Sequence, residues 1–412
     1  MKIEKTCIDL LGVDRCTGCF GCQSACQQGA IRLVLNPEGF YKPMVNHDVC
    51  NYCGLCIQRC PVLAYDLGRL PDAKLPEPKV YAAWSKDDFW RLASTSGGLF
   101  SELALPVIDA GGIVVGCVWG NEWTPKHEIA STWPEVERMR GSKYVPSMVG
   151  NLYAKIIEYL KETPRGTVLF AGTPCQVAAL DLSLNREQRK RVLLIDIICD
   201  GVPSLRVFHS YLRELFKGEQ VVSYMFREKS FGWGASSIRA ETSNLSCYHV
   251  KVWDDPFIKG SQVYRLYQMD ACDGCLFARL PRPGDITLGD YWGCPDRLND
   301  NKGVSVVLAN TQAGQEALDW LISANRIFCE PTDLVMATKF NQRLIHGNYV
   351  GSENRQAFLN GLIAGKKFNS LKKKYYPKHI SKWKARWVDF CSASSKREYV
   401  AKAISQILRK FK

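Results

Sequence analysis

Eight of the 18 cysteines in this 412-residue chain fall into two runs of identical spacing. Cys16, Cys19, Cys22 and Cys26 form C-x2-C-x2-C-x3-C, and Cys50, Cys53, Cys56 and Cys60 repeat it, beginning 24 positions after Cys26 and ending in Pro61. Three thiolates two residues apart let a tight loop wrap one face of a four-iron cubane, while the fourth, at the start of a short helix, reaches out of that loop. Zinc sites use paired C-x2-C knuckles, not four-cysteine runs with a three-residue final gap, so iron and sulfide fit the pattern better than zinc. A disulfide framework is disfavoured too, because such frameworks belong to small secreted chains. The chemistry expected is one-electron transfer through two 4Fe-4S clusters.

The tandem run resembles the bacterial two-cluster ferredoxins, whose fourth cysteine in each run serves the other cluster. The resemblance implies one cluster on Cys16, Cys19, Cys22 and Cys60, and another on Cys50, Cys53, Cys56 and Cys26. Gly18, Gly21 and Gly54 suit the tight loops, which leave backbone amides free to hydrogen-bond sulfur. The proline that usually follows the fourth cysteine is kept as Pro61 but is Gln27 in the first run, a departure that bears on rigidity and not on ligation.

Four more cysteines sit where a fold could gather them. Cys175 follows Gly172, Thr173 and Pro174, where a buried strand over residues 167–171 turns into a helix whose dipole favours a thiolate. Cys199 ends the next buried strand, residues 192–199, and Cys272 and Cys275 form a separate C-x2-C knuckle. Strand ends collect on one edge of an α/β sheet, so a third 4Fe-4S cluster on Cys175, Cys199, Cys272 and Cys275 is expected, with Cys294 as the substitute ligand. The competing expectation is that these are buried structural cysteines. Cys7, Cys117, Cys247, Cys329 and Cys391 have no partners at ligand spacing and read as packing.

The elements that must position these groups divide the chain. Residues 1–70 form the ferredoxin-type module, and the prolines at 71, 76 and 78 mark residues 71–79 as a stiff linker. Beyond it, apolar runs at 111–118, 167–171 and 192–199 read as strands and 149–160 as an amphipathic helix. The fold class expected is an α+β ferredoxin-like module followed by an α/β flavin-binding body with a mixed sheet, split into residues 80–165 and 166–345, and a basic helical tail over 346–412.

Five short segments of the body, RLASTSGGLFS at 91–101, GSKYVPS at 141–147, FAGTPCQ at 170–176, CDGVPS at 199–204 and GDYWG at 289–293, occur in the order found in one family. Over residues 80–330 the chain resembles the family of coenzyme F-420 hydrogenase/dehydrogenase beta subunits, which are iron-sulfur flavoproteins. The resemblance implies an FAD held by the body, which converts between one-electron clusters and a two-electron partner. It also implies that Thr95, Ser96, Gly97, Gly98 and Lys143 lie near the flavin or its substrate. A Ser/Thr/Gly-rich turn entering a helix near Leu99 offers free amides, although Ser96 serving as an ordinary helix cap is the plainer alternative. The family commonly has histidine after the cysteine of the CDGVPS segment, where this chain has Asp200, so Asp200 joins Lys143 as a catalytic candidate. Asp290 either bonds a cofactor or caps a turn. No G-x-G-x-x-G follows a strand, which leaves a Rossmann NAD site unsupported.

The whole formal net charge of +13 lies in residues 351–412, which hold 16 Lys and Arg against three acidic residues. Val400, Ala403, Ile404, Ile407, Leu408 and Phe411 would share one face of a terminal helix, suited to an anionic membrane surface or an acidic carrier. Charge alone permits nucleic acid, but no nucleic-acid-binding fold accompanies it. No uncharged stretch is long enough to span a bilayer, and Glu4 and Asp9 interrupt any secretion signal, so a cytoplasmic protein, peripheral at most to the inner membrane face, is expected. The function expected is an iron-sulfur flavoprotein oxidoreductase linking a ferredoxin-like carrier to a small organic substrate or deazaflavin coenzyme. The alternative is a non-catalytic electron-transfer subunit of a larger redox complex.

Overall fold

The computed structural model describes residues 4–69, 75, 77–347 and 351–377. Most of the expected linker and the face from Val400 to Phe411 lie outside the described residues. In the module, β1 (Ile31–Leu35) and β2 (Tyr41–Val45) form an antiparallel ribbon beside short helices at Gly21–Ala25, Leu55–Gln58 and Pro61–Asp66. The cysteine loops need left-handed backbone: Gly18 has φ +64°, and a Cβ there would sit 2.8 Å from the Tyr41 carbonyl oxygen, so only glycine fits.

The body is built on β3 (Lys79–Ser85), β4 (Ile113–Trp119), β5 (Pro125–Ala130), β6 (Val168–Gly172) and β7 (Val192–Ile197). It continues through β8 (Val221–Glu228), β9 (Ser237–Thr242), β10 (Cys247–Lys251), β11 (Ile286–Asp290), β12 (Ser305–Ala309) and β13 (Ile327–Thr332). Eight strands make one mixed sheet in the order β13-β3-β12-β11-β7-β6-β4-β5, and β8, β9 and β10 make a separate antiparallel sheet. The central strands β4, β6, β7 and β11 run parallel. Strand β3 runs the same way, because both it and β11 are antiparallel to β12. The loops leaving β3, β4, β6, β7 and β11 therefore open on one edge, as parallel α/β sheets require.

The module does not hang on its linker. Cys16, Cys19, Phe20, Cys22, Val62 and Tyr65 share one apolar core with Tyr153, Phe170, Val177, Ala179 and Phe277 of the body. The rings of Tyr65 and Phe277 meet edge to face at 4.8 Å, a contact worth about 0.5–1.5 kcal/mol beyond the area it buries. Polar ties reinforce the seam: Gln23 Nε2 donates to Asn151 Oδ1 at 3.0 Å, and the Ala154 amide to Ser24 Oγ at 2.9 Å.

The expected basic tail is in part an integral layer. The helices Arg355–Ile363 and Phe368–Tyr375 bury Phe358, Leu359, Leu362, Phe368 and Leu371 in a core with Phe208 and Tyr211 of the helix Leu205–Leu215. Their lysines cover the outside of a packed face, so charge alone misrepresents this segment.

At the centre of the sheet, Asp196 on β7 and Arg282 are both wholly excluded from solvent. Arg282 reaches Asp196 Oδ1 through Nη2 at 2.6 Å and Nε at 3.1 Å, the Gly284 amide donates to Oδ2 at 2.8 Å, and Arg282 Nη1 donates to the Phe277 carbonyl at 2.8 Å. Removing one partner strands a buried charge. Arg282→Met is predicted to cost about 3–5 kcal/mol in denaturant unfolding, far more than Arg15→Met, which removes the exposed pair of Arg15 with Asp66 and should stay under about 1 kcal/mol.

Candidate functional site

The two expected module quartets are each assembled in the structure. Cys16, Cys19, Cys22 and Cys60 are all buried, and their thiols act electrostatically on one another. Burial pushes Cys60 up to about 11. Cys26, Cys50, Cys53 and Cys56 together line one small hollow with Thr6, Tyr52 and Gly54. Cys53 is exposed, so this second site faces solvent while the first faces the body. Among the described residues no group of three or more His, Cys, Asp or Glu side chains is arranged to hold a single metal ion. The second quartet instead stands around open space, and a donor set of four thiols around a hollow is what a cubane takes.

Cys7, read as packing from the sequence, lies between these quartets. Its amide donates to Cys56 Sγ at 3.4 Å, and its thiol pairs with both Cys22 and Cys56. Hydrogen bonding from Cys7 draws Cys56 down to about 6. The signal available in the sequence was a ninth cysteine within a module of about 60 residues; its spacing matched no ligand pattern, which hid its place.

Cys175, Cys199, Cys272 and Cys275 also converge. Cys175 and Cys275 pack against the same core, and burial first, then the neighbouring thiols, pushes the thiols of Cys175, Cys199 and Cys272 up. Cys175 opens the helix Pro174–Asp181, which begins there because Pro174 pre-sets its first turn and Gln176 Oε1 accepts from the Thr173 amide at 3.0 Å. Burial pushes the Cys175 thiol up to about 12, against a hydrogen bond from Thr173 that pulls it down. Cys294 packs instead with Tyr291, Trp292 and Leu298 and is not among this group. The gap to the module is small: Cys175 packs against the core that holds Cys19, and Tyr153 Oη sits 2.8 Å from the Cys19 carbonyl and 3.1 Å from the Gln176 carbonyl, its one proton shared between them.

The remaining candidates lie along the same sheet edge. Gly98, with φ +89°, caps the helix Leu99–Asp109. Ser96 is not the cap, because its hydroxyl donates to the Val304 carbonyl at 3.0 Å. Thr95 Oγ1 accepts from the Ser142 amide at 3.0 Å, and the Gly97 amide donates to Ser305 Oγ at 2.9 Å, so the turn is pinned to the 141–147 loop and to β12.

Lys143 Nζ donates to the carbonyls of Cys117, Met139 and Arg140 at 2.8, 3.1 and 3.0 Å, with the Arg138 carbonyl a more distant neighbour at 3.4 Å. Burial draws it down to about 8, yet four carbonyl oxygens surround it, and the ammonium serves as a tie for backbone. Asp200 is likewise engaged: Arg265 Nη2 grips both its oxygens at 2.9 and 3.0 Å. Both catalytic candidates are thus structural partners here. Sequence could not reveal this, because the partners, backbone carbonyls for Lys143 and the Arg265 side chain for Asp200, are brought in by folding.

Arg227, which carried no local signal in the sequence, has the open valence that the named candidates lack. Its Nη1 donates to Asp290 Oδ2 at 3.0 Å and its Nε to Ser236 Oγ at 2.7 Å, while Trp233 Nε1 donates to Asp290 Oδ1 at 2.7 Å. Its Nη2 is buried with no hydrogen-bond partner among the described residues. The guanidinium lies 5.2 Å from the Trp292 ring centre, and Trp292 stacks on Trp233 at 5.1 Å.

Comparison with known proteins bears on this arrangement. Residues 80–153 match the model for the N-terminal part of the coenzyme F420 hydrogenase/dehydrogenase beta subunit, and residues 166–334 match the model for the C terminus of that same protein. Residues 15–64 match a 4Fe-4S dicluster domain. The F subunit of the F(420)H(2) dehydrogenase of Methanosarcina mazei is 29% identical over 195 residues, 45% of this chain and 53% of that protein. The ferredoxin-type protein NapF of Haemophilus influenzae is 40% identical over 70 residues, 17% of this chain and 38% of that protein. The chain thus spans about half the length, or less, of the curated relatives it matches. A chain from the F420-reducing [NiFe] hydrogenase complex of Methanosarcina barkeri superposes with a TM-score of 0.46 at 18% identity, over 74% of this chain and 92% of that one.

Two outcomes follow from the geometry. If Cys26 and Cys53 serve one site, the double change Cys26→Ser with Cys53→Ser removes about four irons per chain, whereas an uncrossed arrangement loses about eight, as read by iron analysis and electron paramagnetic resonance. Lys143→Met leaves carbonyls unsatisfied and is predicted to cost about 1–3 kcal/mol in thermal unfolding; a loss of turnover with unchanged stability would instead give the amine a direct chemical role.

Proposed function

Since the chain belongs to the family of coenzyme F420 hydrogenase/dehydrogenase beta subunits, we propose that it relays electrons between a one-electron carrier and a two-electron organic partner. The observation that carries this reading is the succession of three quartets, from the exposed Cys53 site through the buried Cys19 site to Cys175 at the sheet edge. A ferredoxin-like carrier would meet the chain at the exposed site. Clusters exchange single electrons, and an FAD pairs them for hydride transfer.

The residues of this chain suit such a flavin at the edge beside the third quartet. Arg227 Nη2 offers a buried cationic donor to an acceptor-rich group, with Asp290 and Ser236 fixing its direction. Trp292, backed by the buried Trp233, supplies a flat apolar ring next to it. The pinned turn of Thr95, Ser96, Gly97 and Gly98 shapes the neighbouring wall, and Lys143 holds the 141–147 loop against it. The two-electron partner would be a deazaflavin of the F-420 type or another small unsaturated organic molecule.

The name of the Methanosarcina mazei relative, one component of a dehydrogenase, favours a second reading in which this chain works within a larger redox assembly. No helix among the described residues is long and apolar enough to cross a membrane. Contact with an anionic membrane through the basic terminus would rest on residues beyond 377.

Anaerobic purification with iron, sulfide and extracted-flavin assay separates these readings. About twelve irons and one FAD per chain are predicted. About eight irons with flavin would remove the third cluster, and about eight without flavin, even after reconstitution, would contradict the flavoenzyme reading.

A further inference from the structure

The four cysteines of the third quartet come from three separate stretches of chain, so their backbones must be held in register by something other than local spacing. Arg343, in the short turn Gln342–Leu344, lies beyond the last residue of the family match, at 334. Its side chain is only 4% exposed. Nη2 donates to the Cys272 carbonyl at 2.9 Å, Nε to the Cys199 carbonyl at 3.3 Å, and Nη1 to the Gly347 carbonyl at 2.6 Å. Gly347 closes on the knuckle itself: a Cβ there would meet the Cys275 carbonyl oxygen at 2.0 Å. Residues 343–347 therefore contact the backbone of three of the four cysteines. The Arg343 carbonyl is in turn 3.5 Å from Nη1 of Arg282, the partner of Asp196 on β7.

We propose that Arg343 is a positioning residue for the third quartet, clamping Cys199 to Cys272 and placing a buried positive charge beside the cluster they would hold. The inference rests on the reading of that quartet as cluster ligands. The planar fork of a guanidinium spans two carbonyls at fixed separation, which a lysine ammonium does not reproduce. A cation held next to a thiolate-bound cluster favours the more negative, reduced state and raises its potential, since net charge and hydrogen bonding set such potentials. Asp200 shares this environment, 3.7 Å from Arg343 Nε, and is itself held by Arg265.

The test uses full-length protein purified anaerobically as wild type, Arg343→Lys and Arg343→Met, with iron analysis and a redox titration followed by electron paramagnetic resonance. The signal missing from Cys272→Ser identifies the third site. A wild type with about eight irons, and not about twelve, ends the third-site reading itself and the role of Arg343 with it. Given about twelve, Arg343→Met is expected to lose iron from the third site alone. If it keeps that iron, its reduced-to-oxidised ratio at fixed potential should fall at least tenfold, about 59 mV for a one-electron couple. Arg343→Lys should retain the iron with a smaller shift, and the module signals should not move. An Arg343→Met protein that matches wild type in iron and potential overturns the proposal. Should that variant lose all three sites together, Arg343→Lys decides: a change confined to the third site supports the clamp, and none refutes it.

Discussion

Everything else in the molecule depends on the first cysteine loop lying directly on the helix Pro174–Asp181. Gly21 allows it, because a Cβ there would press on the Arg59 carbonyl at 2.9 Å and on Ala179 of that helix at 3.2 Å. Phe20, 1% exposed, fills the space beside it, a burial worth roughly 1.5–3 kcal/mol. Tyr153 then bridges the two elements through its hydroxyl. Had the module been free on its linker, the distance from Cys19 to Cys175 would vary with every excursion. A shared core fixes it, and a fixed separation is what electron transfer between two sites needs.

The sheet edge adds a second constraint, which is electrostatic. Asp196, Asp200 and Asp290 stand at or just past the ends of β7 and β11, and each is held by arginine: Arg282, Arg265 and Arg227. The Asp196 and Asp290 pairs are buried, and buried ion pairs contribute little net stability but are costly to break, so these two fix geometry more than they add energy. Their common effect is to tie down the turn after β7, which carries Cys199, and the turn after β11, which carries Trp292. The antiparallel sheet β8-β9-β10 is part of the same scheme, since β8 carries Arg227 back to the edge.

What sequence revealed and what it hid divides along one line. Cluster chemistry demands local spacing, so the module quartets were plain; the rule that parallel strands end on one edge drew Cys175 and Cys199 together, while Cys272 and Cys275 were marked by their own C-x2-C spacing. Element boundaries were less legible. The strand expected at 111–118 is Ile113–Trp119, because Gly111, with φ +74°, and Gly112 complete the turn from the preceding helix. The helix expected at 149–160 is Leu152–Glu162. Lys143, Asp200 and Ser96 looked chemically free because their partners, four carbonyls, an arginine 65 residues away and the start of β12, exist only in the fold. Arg227 and Arg343 looked ordinary for the same reason. In the tail, charge did not reveal that the helices Arg355–Ile363 and Phe368–Tyr375 pack on a core, while the face from Val400 to Phe411 lies outside the described residues.

The most direct test of the central claim, a continuous path from the exposed quartet to the sheet edge, is pulsed electron paramagnetic resonance of the fully reduced protein. Three cluster spins in series are expected, with the spin that disappears in Cys272→Ser magnetically coupled to that of the Cys16, Cys19, Cys22 and Cys60 site. A third spin that is absent, or present but uncoupled from the module, would contradict it.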